Sequence, residues 1–202
     1  MSAIKWFTSL FTVEDFLAFE SLSPIKHEYL GGLIYPLKEE CALHRTVCAN
    51  SFAAMQRRLQ GRPWCVVNSD TKLRLRSPTR VSFYYPDVAV VRRADSLSQL
   101  FQDNPAVLIE VLSKRTRRTD EVEKKDAYLN IPSLSVYLLV EQEFPAVVAF
   151  RRTETGFVRE VYEGLDAVIP LGEIEIELPL REIYEAVTFV AEADEDEEVL
   201  GR

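Results

Sequence analysis

Hydrophobic and polar residues recur along this chain with two spacings, one typical of helices and one typical of strands. Val47, Phe52, Met55 and Leu59 fall near helical spacing, and Gly61 stands where such a helix would end. Short apolar runs separated by turn residues predict strands. The predicted elements are a helix after the N-cap Thr12, a hairpin across 26–37, helices over 44–60, 120–130 and 181–187, and strands at 64–67, 72–76, 83–91, 106–112, 136–140, 147–150, 157–162 and 174–178.

This order of elements predicts an α/β fold with a central mixed β-sheet flanked by helices. Strands near the middle of such a sheet are covered on both faces, so charged residues inside them are informative. The chain has 202 residues, the size of one domain, and we assign residues 1–190 to that domain. Residues 191–202 include six acids between Glu192 and Glu198 and are predicted to be a disordered acidic tail.

The composition excludes several classes of protein. No window approaches the run of about 18 apolar residues that a membrane-spanning helix needs, and the N-terminus lacks the pattern of a signal peptide. Three cysteines, Cys41, Cys48 and Cys65, form no CxxC pair, and only two histidines are present, which argues against a disulfide framework or a zinc ribbon. We therefore expect a cytoplasmic protein with reduced cysteines and no membrane partner.

The charge of the chain is unevenly distributed. The formal net charge is −8, which by itself argues against a nucleic-acid partner. Residues 43–125, however, hold 16 basic and 8 acidic residues, while residues 126–202 hold 5 basic and 18 acidic ones. The basic middle segment is compatible with a surface that attracts a phosphate backbone. It includes the runs Lys72, Arg74, Arg76 and Arg115, Arg117, Arg118.

Two carboxylates lie within or at the start of predicted apolar strands, where acidic residues are rare. Glu110 is the one acid in the apolar run 106–112, where an ionised carboxylate costs several kcal/mol unless it is paired or binds a metal. Asp87 follows Pro86 at the start of another apolar strand. The alternatives are a salt-bridged core acid for Glu110 and an ordinary turn aspartate for Asp87. Taken together, two acids on neighbouring strands can converge on one hard cation such as Mg²⁺.

A lysine near these acids would complete a hydrolytic site, because it can orient the attacking water or stabilise negative charge that develops on phosphate. Lys114 follows the apolar run directly, and Lys124 and Lys125 lie in the next predicted helix. For each lysine alone, a solvated helix face or loop is the simpler interpretation.

At these residues the chain resembles the PD-(D/E)XK nucleases and, more closely, the Uma-two family of restriction-endonuclease-like proteins. The resemblance extends from about Thr12 to Val187. The matching features are residues 12–17; Lys26-His27-Glu28-Tyr29 with Gly32 and Ile34; His44-Arg45 with Asn50; Ser69-Asp70; Tyr85-Pro86-Asp87-Val88; residues 109–113 with Thr116; Asp120, Lys124 and Tyr128; and residues 131–134 and 137–140.

The resemblance implies a restriction-endonuclease-like core and Mg²⁺-dependent hydrolysis of DNA, with Mn²⁺ as a substitute ion. It implies that Asp87 and Glu110 bind the metal and that both are catalytic. The usual lysine lies two residues after the acid, where this chain has Leu112, so the family variant assigns the catalytic role to Lys124 on the following helix. Further candidate site residues are Glu28, His44, Asp70 and Lys125.

Three functions remain open at this stage. The first is a Mg²⁺-dependent DNA endonuclease, for which a two-fold dimer would suit the dyad of duplex DNA. The second is a nuclease-fold protein that cuts weakly or not at all and instead binds nucleic acid or assembles with proteins. The third is a structural module whose buried acids form ion pairs, in which Glu110→Gln would be tolerated.

Overall fold

The computed structural model describes residues 10–93 and 100–189 of the chain. The predicted acidic tail, residues 191–202, lies outside the described residues. In the part of the chain that is described, no helix is both long and apolar enough to cross a membrane.

A six-stranded mixed sheet forms the centre of the fold. Its strands are β3 (Trp64–Asn68), β6 (Val88–Arg92), β8 (Pro105–Leu112), β9 (Val136–Glu141), β10 (Ala146–Thr153) and β11 (Gly156–Glu163). The strand order is β11-β10-β9-β8-β6-β3, with β8 and β9 parallel and the other neighbours antiparallel. β8 is buried along its whole length, as the apolar run predicts. The predicted α/β fold with a central mixed sheet is confirmed.

A second sheet of five strands lies beside the first. It contains β1 (His27–Leu30), β2 (Leu33–Pro36), β4 (Lys72–Arg76), β5 (Val81–Tyr84) and β7 (Phe101–Gln102), in the order β2-β1-β5-β4-β7. The predicted hairpin is β1–β2. Its turn residues, Gly31 and Gly32, have φ of 58° and 106°, a left-handed backbone that glycine adopts without strain.

The prediction of one interrupted strand across residues 83–91 is wrong. The segment forms two strands in different sheets, β5 in the five-stranded sheet and β6 in the six-stranded sheet. Pro86 lies between them and has no N–H to donate to a ladder. The connection Tyr85-Pro86-Asp87 therefore leads the chain from one sheet to the other.

The helices lie within two residues of the predicted bounds, except that the last one ends early. Helix α1 (Val13–Leu22) has a capping box between Thr12 and Asp15, and α2 (Ala42–Arg58) is followed by Gly61 at φ 79°. The predicted helix over 120–130 begins as a π-helical turn (Thr119–Lys124) and continues as α3 (Lys125–Leu129). The last helix, α4 (Leu180–Ile183), is shorter than predicted, because Ala186 adopts a left-handed φ of 58° that a right-handed helix cannot include.

The six-stranded sheet is covered on both faces. On one face, Val107 and Ile109 pack against α2, α4 and a small sheet of β12 (Val168–Leu171) and β13 (Ile176–Pro179). On the other face, Leu108 and Leu112 pack against Tyr128 of α3. Since side chains alternate along a strand, Glu110 shares the face of Leu108 and Leu112. The covered sheet therefore forces a carboxylate into a protein interior.

Candidate active site

A cavity of about 780 Å³ lies between the two sheets, beside α2 and the π-helical turn. Its lining includes Glu28 of β1, His44 of α2, Asp87 before β6, Glu110 of β8 and Lys124 of the π-helical turn. Each of these side chains comes from a different element. The tertiary fold, rather than a continuous stretch of sequence, assembles the cavity.

The two acids that the sequence singles out face each other across neighbouring strands. Val88 is paired with Ile109 in the antiparallel register of β6 and β8, so the next position along places Asp87 opposite Glu110. The N–H of Val111 donates to Asp87 Oδ2 at 2.8 Å and fixes that carboxylate. Asp87 and Glu110, the two acids that the sequence singles out, both line the cavity.

Lys124 contacts three acids at once. Its Nζ lies 3.1 Å from Glu110 Oε1, 3.3 Å from Asp120 Oδ1 and 3.5 Å from Glu28 Oε1. Lys124 and Asp120 belong to the π-helical turn, in which the N–H of Lys125 donates to the carbonyl of Asp120 five residues earlier. This local widening is characteristic of helices at functional sites.

Lys124 and its three partners, Glu28, Glu110 and Asp120, form the acid cluster, and burial shifts the pKa of each acid in it. Burial raises the pKa of Glu110 well above its usual value and also raises the pKa of Glu28 and Asp120. For Lys124, burial opposes the charge, but the attraction of the surrounding acids outweighs it and raises the pKa, so the ammonium stays protonated. One cation thus serves more carboxylates than it can neutralise.

Asp87 differs from the other acids because its partners favour the ionised form. Burial opposes ionisation, but His44, at 3.5 Å from Oδ2, and the N–H of Val111 outweigh it and lower the pKa of Asp87. The side chain keeps 16% of its surface exposed to the cavity. Asp87 is therefore an ionised, accessible carboxylate at neutral pH.

The residues fit a hard divalent cation. Glu28 Oε1 and Asp120 Oδ1 are buried and accept no hydrogen bond among the described residues, although they lie 3.5 and 3.3 Å from Lys124 Nζ. Buried carboxylate oxygens that lack hydrogen bonds are costly, and Mg²⁺ and Mn²⁺ prefer oxygen ligands. Asp87 and Glu110 would supply the carboxylates that hold such an ion, with these two oxygens nearby.

His44 lies at the cavity beside Asp87. Its Nε2 is 2.9 Å from the carbonyl of Val111 and its Nδ1 is 3.3 Å from the thiol of Cys48. Burial opposes its protonated form, but Asp87 outweighs burial and raises the pKa of His44. Of the further candidates, Glu28 and His44 are therefore brought to the cavity.

The remaining candidates lie elsewhere. Asp70 is exposed and forms an ion pair with Lys26 at 2.5 Å. Lys125 does not line the cavity, and its Nζ lies 5.5 Å from the ring centre of Phe150. Lys114 is exposed and lies 3.3 Å from Glu143. Of the three lysines that the sequence leaves open, Lys124 is the one in the acid cluster.

Asp120 and Tyr128 belong to the matched pattern, but the sequence does not identify them as site residues. Asp120 lies beside Lys124, and the hydroxyl of Tyr128 donates to Glu110 Oε1 at 2.9 Å. The available signal is spacing, since Asp120, Lys124 and Tyr128 recur every four residues and so share one face of a helix.

The basic middle segment contributes only part of its charge to the cavity. Arg45, Arg115 and Lys124 of this segment line the cavity, together with Lys26 and Lys38 from outside the segment. Other members of the basic runs are paired with acids: Arg74 binds Asp103 through two hydrogen bonds of 2.7 and 2.6 Å, and Arg117 binds Glu141 through two of 2.8 and 2.6 Å. The net positive charge of that segment therefore overstates the basic surface available to a ligand.

The mixed sheet with helices on both faces is a restriction-endonuclease-like fold. A solved structure, "Crystal structure of a putative nuclease belonging to DUF820 from Anabaena variabilis ATCC 29413", is similar with a TM-score of 0.65. The match covers 86% of this chain and 97% of that one at 16% sequence identity. At that identity the likeness establishes the fold.

The family is established by sequence. The Uma2 family model, described as "Putative restriction endonuclease", matches residues 13–181, so the chain belongs to this family and the resemblance is confirmed. "Uncharacterized protein sll1609" of Synechocystis sp. is 29% identical over 138 residues, 67% of this chain and 77% of the relative. "Uncharacterized protein slr1290" of the same organism is 26% identical over 178 residues, 87% of this chain and 92% of the relative.

Proposed function

We propose that this protein is a divalent-metal-dependent nuclease that hydrolyses phosphodiester bonds in DNA. Asp87 and Glu110 hold Mg²⁺, which Mn²⁺ can replace, and Lys124 is the catalytic lysine. The observation that supports this most directly is the surplus of buried carboxylates around a single ammonium, that of Lys124, with two carboxylate oxygens that accept no hydrogen bond. A cluster of this kind destabilises the protein unless a cation compensates it.

Each residue has a task that follows from its surroundings. When bound, the metal would polarise the phosphoryl oxygen and lower the pKa of a coordinated water. Asp87 offers an ionised carboxylate that reaches the cavity. Lys124 keeps its proton, so its ammonium donates to a phosphate oxygen or orients the attacking water. Tyr128 and the Val111 N–H hold Glu110 and Asp87 in place.

The lining of the cavity favours a polyanionic substrate. Lys38, Arg45 and Arg115 line the cavity, so a phosphate backbone can lie over these cations with one linkage near the carboxylates. The family description supports DNA as this substrate. Cleavage of both strands of a duplex would favour a two-fold dimer of the chain.

The test is hydrolysis of DNA by the purified protein with Mg²⁺, Mn²⁺ or a chelator. We expect metal-dependent cleavage. Asp87→Asn and Glu110→Gln should each reduce its rate by more than about 100-fold, because the loss of a residue that only supports a metal ligand already reduces activity by up to about that factor. The matched control is Glu160→Gln, an acid outside the cavity that is paired with Arg151. It should cleave at the normal rate.

Two results would contradict the proposal. Equal cleavage by the wild type and by Glu110→Gln would show that the activity comes from elsewhere. Intact DNA under all conditions, together with salt-dependent DNA binding that needs no metal, would favour the second function, a binding protein on a nuclease fold.

A further inference from the structure

A second set of potential metal donors, chemically softer than the carboxylates, borders the acid cluster. His44 and Cys48 are four residues apart on α2 and therefore share one face of the helix. Cys48 Sγ lies 3.3 Å from His44 Nδ1. One donor atom each from His44, Cys48 and Asp87 lie within 4.8 Å of one another. Nitrogen, sulfur and oxygen donors thus converge beside the cavity.

The orientation of the His44 ring suits a metal ligand. Its Nε2 is 2.9 Å from the carbonyl oxygen of Val111, which can only accept, so Nε2 carries a proton. In the neutral ring Nδ1 then has a free lone pair, and it is Nδ1 that faces Cys48 Sγ. Metal-binding histidines characteristically donate their other ring N–H to a carbonyl or carboxylate in this way.

We propose that His44 Nδ1, Cys48 Sγ and a carboxylate oxygen of Asp87 form a site for a borderline divalent ion of the Zn²⁺ or Co²⁺ type. Such ions favour tetrahedral sites with thiolate, imidazole and carboxylate donors, whereas Mg²⁺ does not bind thiolates. On binding, the thiol of Cys48 releases its proton to the solvent and becomes the thiolate ligand. All three residues line the cavity, so an ion can enter and the fourth ligand position is open to water.

Asp87 would belong to both metal sites. A carboxylate that is bound to Zn²⁺ through the His44–Cys48 side is withdrawn from Mg²⁺ on the Glu110 side. We infer that the two ions compete for Asp87, so that the zinc site is inhibitory. This consequence rests on the proposed nuclease function, whereas the metal site itself does not.

The direct test is a titration of the full chain with Co²⁺, followed by absorption spectroscopy. Thiolate coordination gives a charge-transfer band in the near ultraviolet that carboxylate coordination does not. We expect this band to saturate at one ion per chain, to disappear when Zn²⁺ displaces Co²⁺, and to weaken only at a large excess of Mg²⁺, which competes for Asp87 but not for the thiolate. In Cys48→Ala the band should be lost and the affinity for Zn²⁺ should fall by more than about tenfold.

The matched control is Cys65→Ala, which removes another partly buried cysteine from β3 and should leave the band unchanged. If Cys48→Ala unfolds, Cys48→Ser retains the size of the side chain and removes the thiolate. A wild type without a thiolate band, or a band that survives in Cys48→Ala or Cys48→Ser, would overturn the proposal.

Assays of DNA cleavage distinguish failure of the zinc site from failure of the nuclease function. If DNA is cleaved, Zn²⁺ should inhibit the wild type at concentrations at which Cys48→Ala, assayed with Mg²⁺, remains active. If DNA is never cleaved but the Co²⁺ band appears and depends on Cys48, the metal site stands and the nuclease function fails. If DNA is cleaved but no thiolate band appears, the nuclease function stands and the zinc site fails.

Discussion

Two ion clusters at the six-stranded sheet differ in how well their charges are paired. Near the edge, Arg151 of β10 donates to Glu160 at 3.0 Å, to Glu173 at 2.6 Å and to the carbonyl of Pro170 at 2.7 Å. In the cavity, Lys124 approaches three buried acids and leaves oxygens of Glu28 and Asp120 without hydrogen bonds.

The pKa shifts separate the two clusters. The hydrogen bond from Arg151 lowers the pKa of Glu160, so that ion pair favours the folded state at neutral pH. Burial raises the pKa of Glu110, which means that its ionised form is unfavourable where it lies. Both clusters contain salt bridges, but only the cavity cluster contains carboxylates whose ionised form destabilises the folded protein. Such a cost is typical of functional sites.

The largest effect is expected from Lys124→Met. This variant removes the cation and leaves Glu28, Glu110 and Asp120 together in the interior. Breaking a buried pair by removal of one partner costs about 3–5 kcal/mol, so the free energy of unfolding at pH 7 in chelator should fall by that amount. Urea denaturation measures it. Mg²⁺ should restore part of the loss, since the ion replaces the missing positive charge.

The neighbouring lysine provides the control for that variant. Lys125→Met lies in the same helical segment, but its Nζ faces the ring of Phe150 rather than the acids. We expect a loss of at most about 1 kcal/mol, the range of an exposed cation–π contact. Equal losses in the two variants would mean that the acid cluster is not under electrostatic strain.

A smaller effect is expected from metal binding to the wild type. An ion that binds only the folded chain adds about 2.7 kcal/mol at 100 times its dissociation constant, so Mg²⁺ or Mn²⁺ should raise the melting temperature. Thermal unfolding in chelator and in excess metal measures the shift. Asp87→Asn should abolish it and Glu160→Gln should leave it intact. A shift that persists in Asp87→Asn would place the ion elsewhere.

The sequence predicts the fold and the central pair of acids because both depend on simple patterns. An apolar run with one carboxylate identifies Glu110 in a buried strand, and the proline before Asp87 marks the start of another. Antiparallel pairing then brings Asp87 and Glu110 to one place. These patterns do not identify the lysine of the site, because Lys124 and Lys125 are adjacent and only helical phase decides which one faces the acids.

The sequence supplies the spacing of these residues but not the local type of helix, on which helical phase depends. The turn at Thr119–Lys124 is π-helical, which shifts the phase of every side chain after it relative to an α-helix. The division of residues 83–91 between two sheets is equally non-local, because it depends on which strands are available to pair with β5 and β6. Glu28 reaches the cluster only because β5 pairs with β1 in the second sheet.

The pH dependence of stability should differ in sign between the two clusters. Glu110, Glu28 and Asp120 have raised pKa values in the folded chain, so the folded state binds more protons than the unfolded state. In chelator, the free energy of unfolding should therefore increase as pH falls from neutral towards about 5. His44, with its pKa raised above 6.5, adds to this increase.

Glu160 has a lowered pKa, so its contribution is present above its usual value of 4.5 and is lost as pH falls below it. Denaturation at several pH values measures both effects. Glu110→Gln should flatten the increase towards pH 5, and Glu160→Gln should retain it while weakening the loss at lower pH. A wild type whose stability only decreases on acidification from neutral pH would contradict the assignment of raised pKa values to the cavity.

The smallest effect is expected from Arg151→Met in the edge cluster. The side chains of Arg151, Glu160 and Glu173 keep 18%, 30% and 27% of their surface exposed, so solvent can compensate acids that lose their partner. We expect a loss of about 1 kcal/mol or less in urea denaturation at pH 7, with no response to Mg²⁺. A loss as large as that of Lys124→Met would show that the edge cluster is as poorly solvated as the cavity. The contrast in burial would then no longer explain why we propose a metal site in the cavity cluster and only a structural role for the edge cluster.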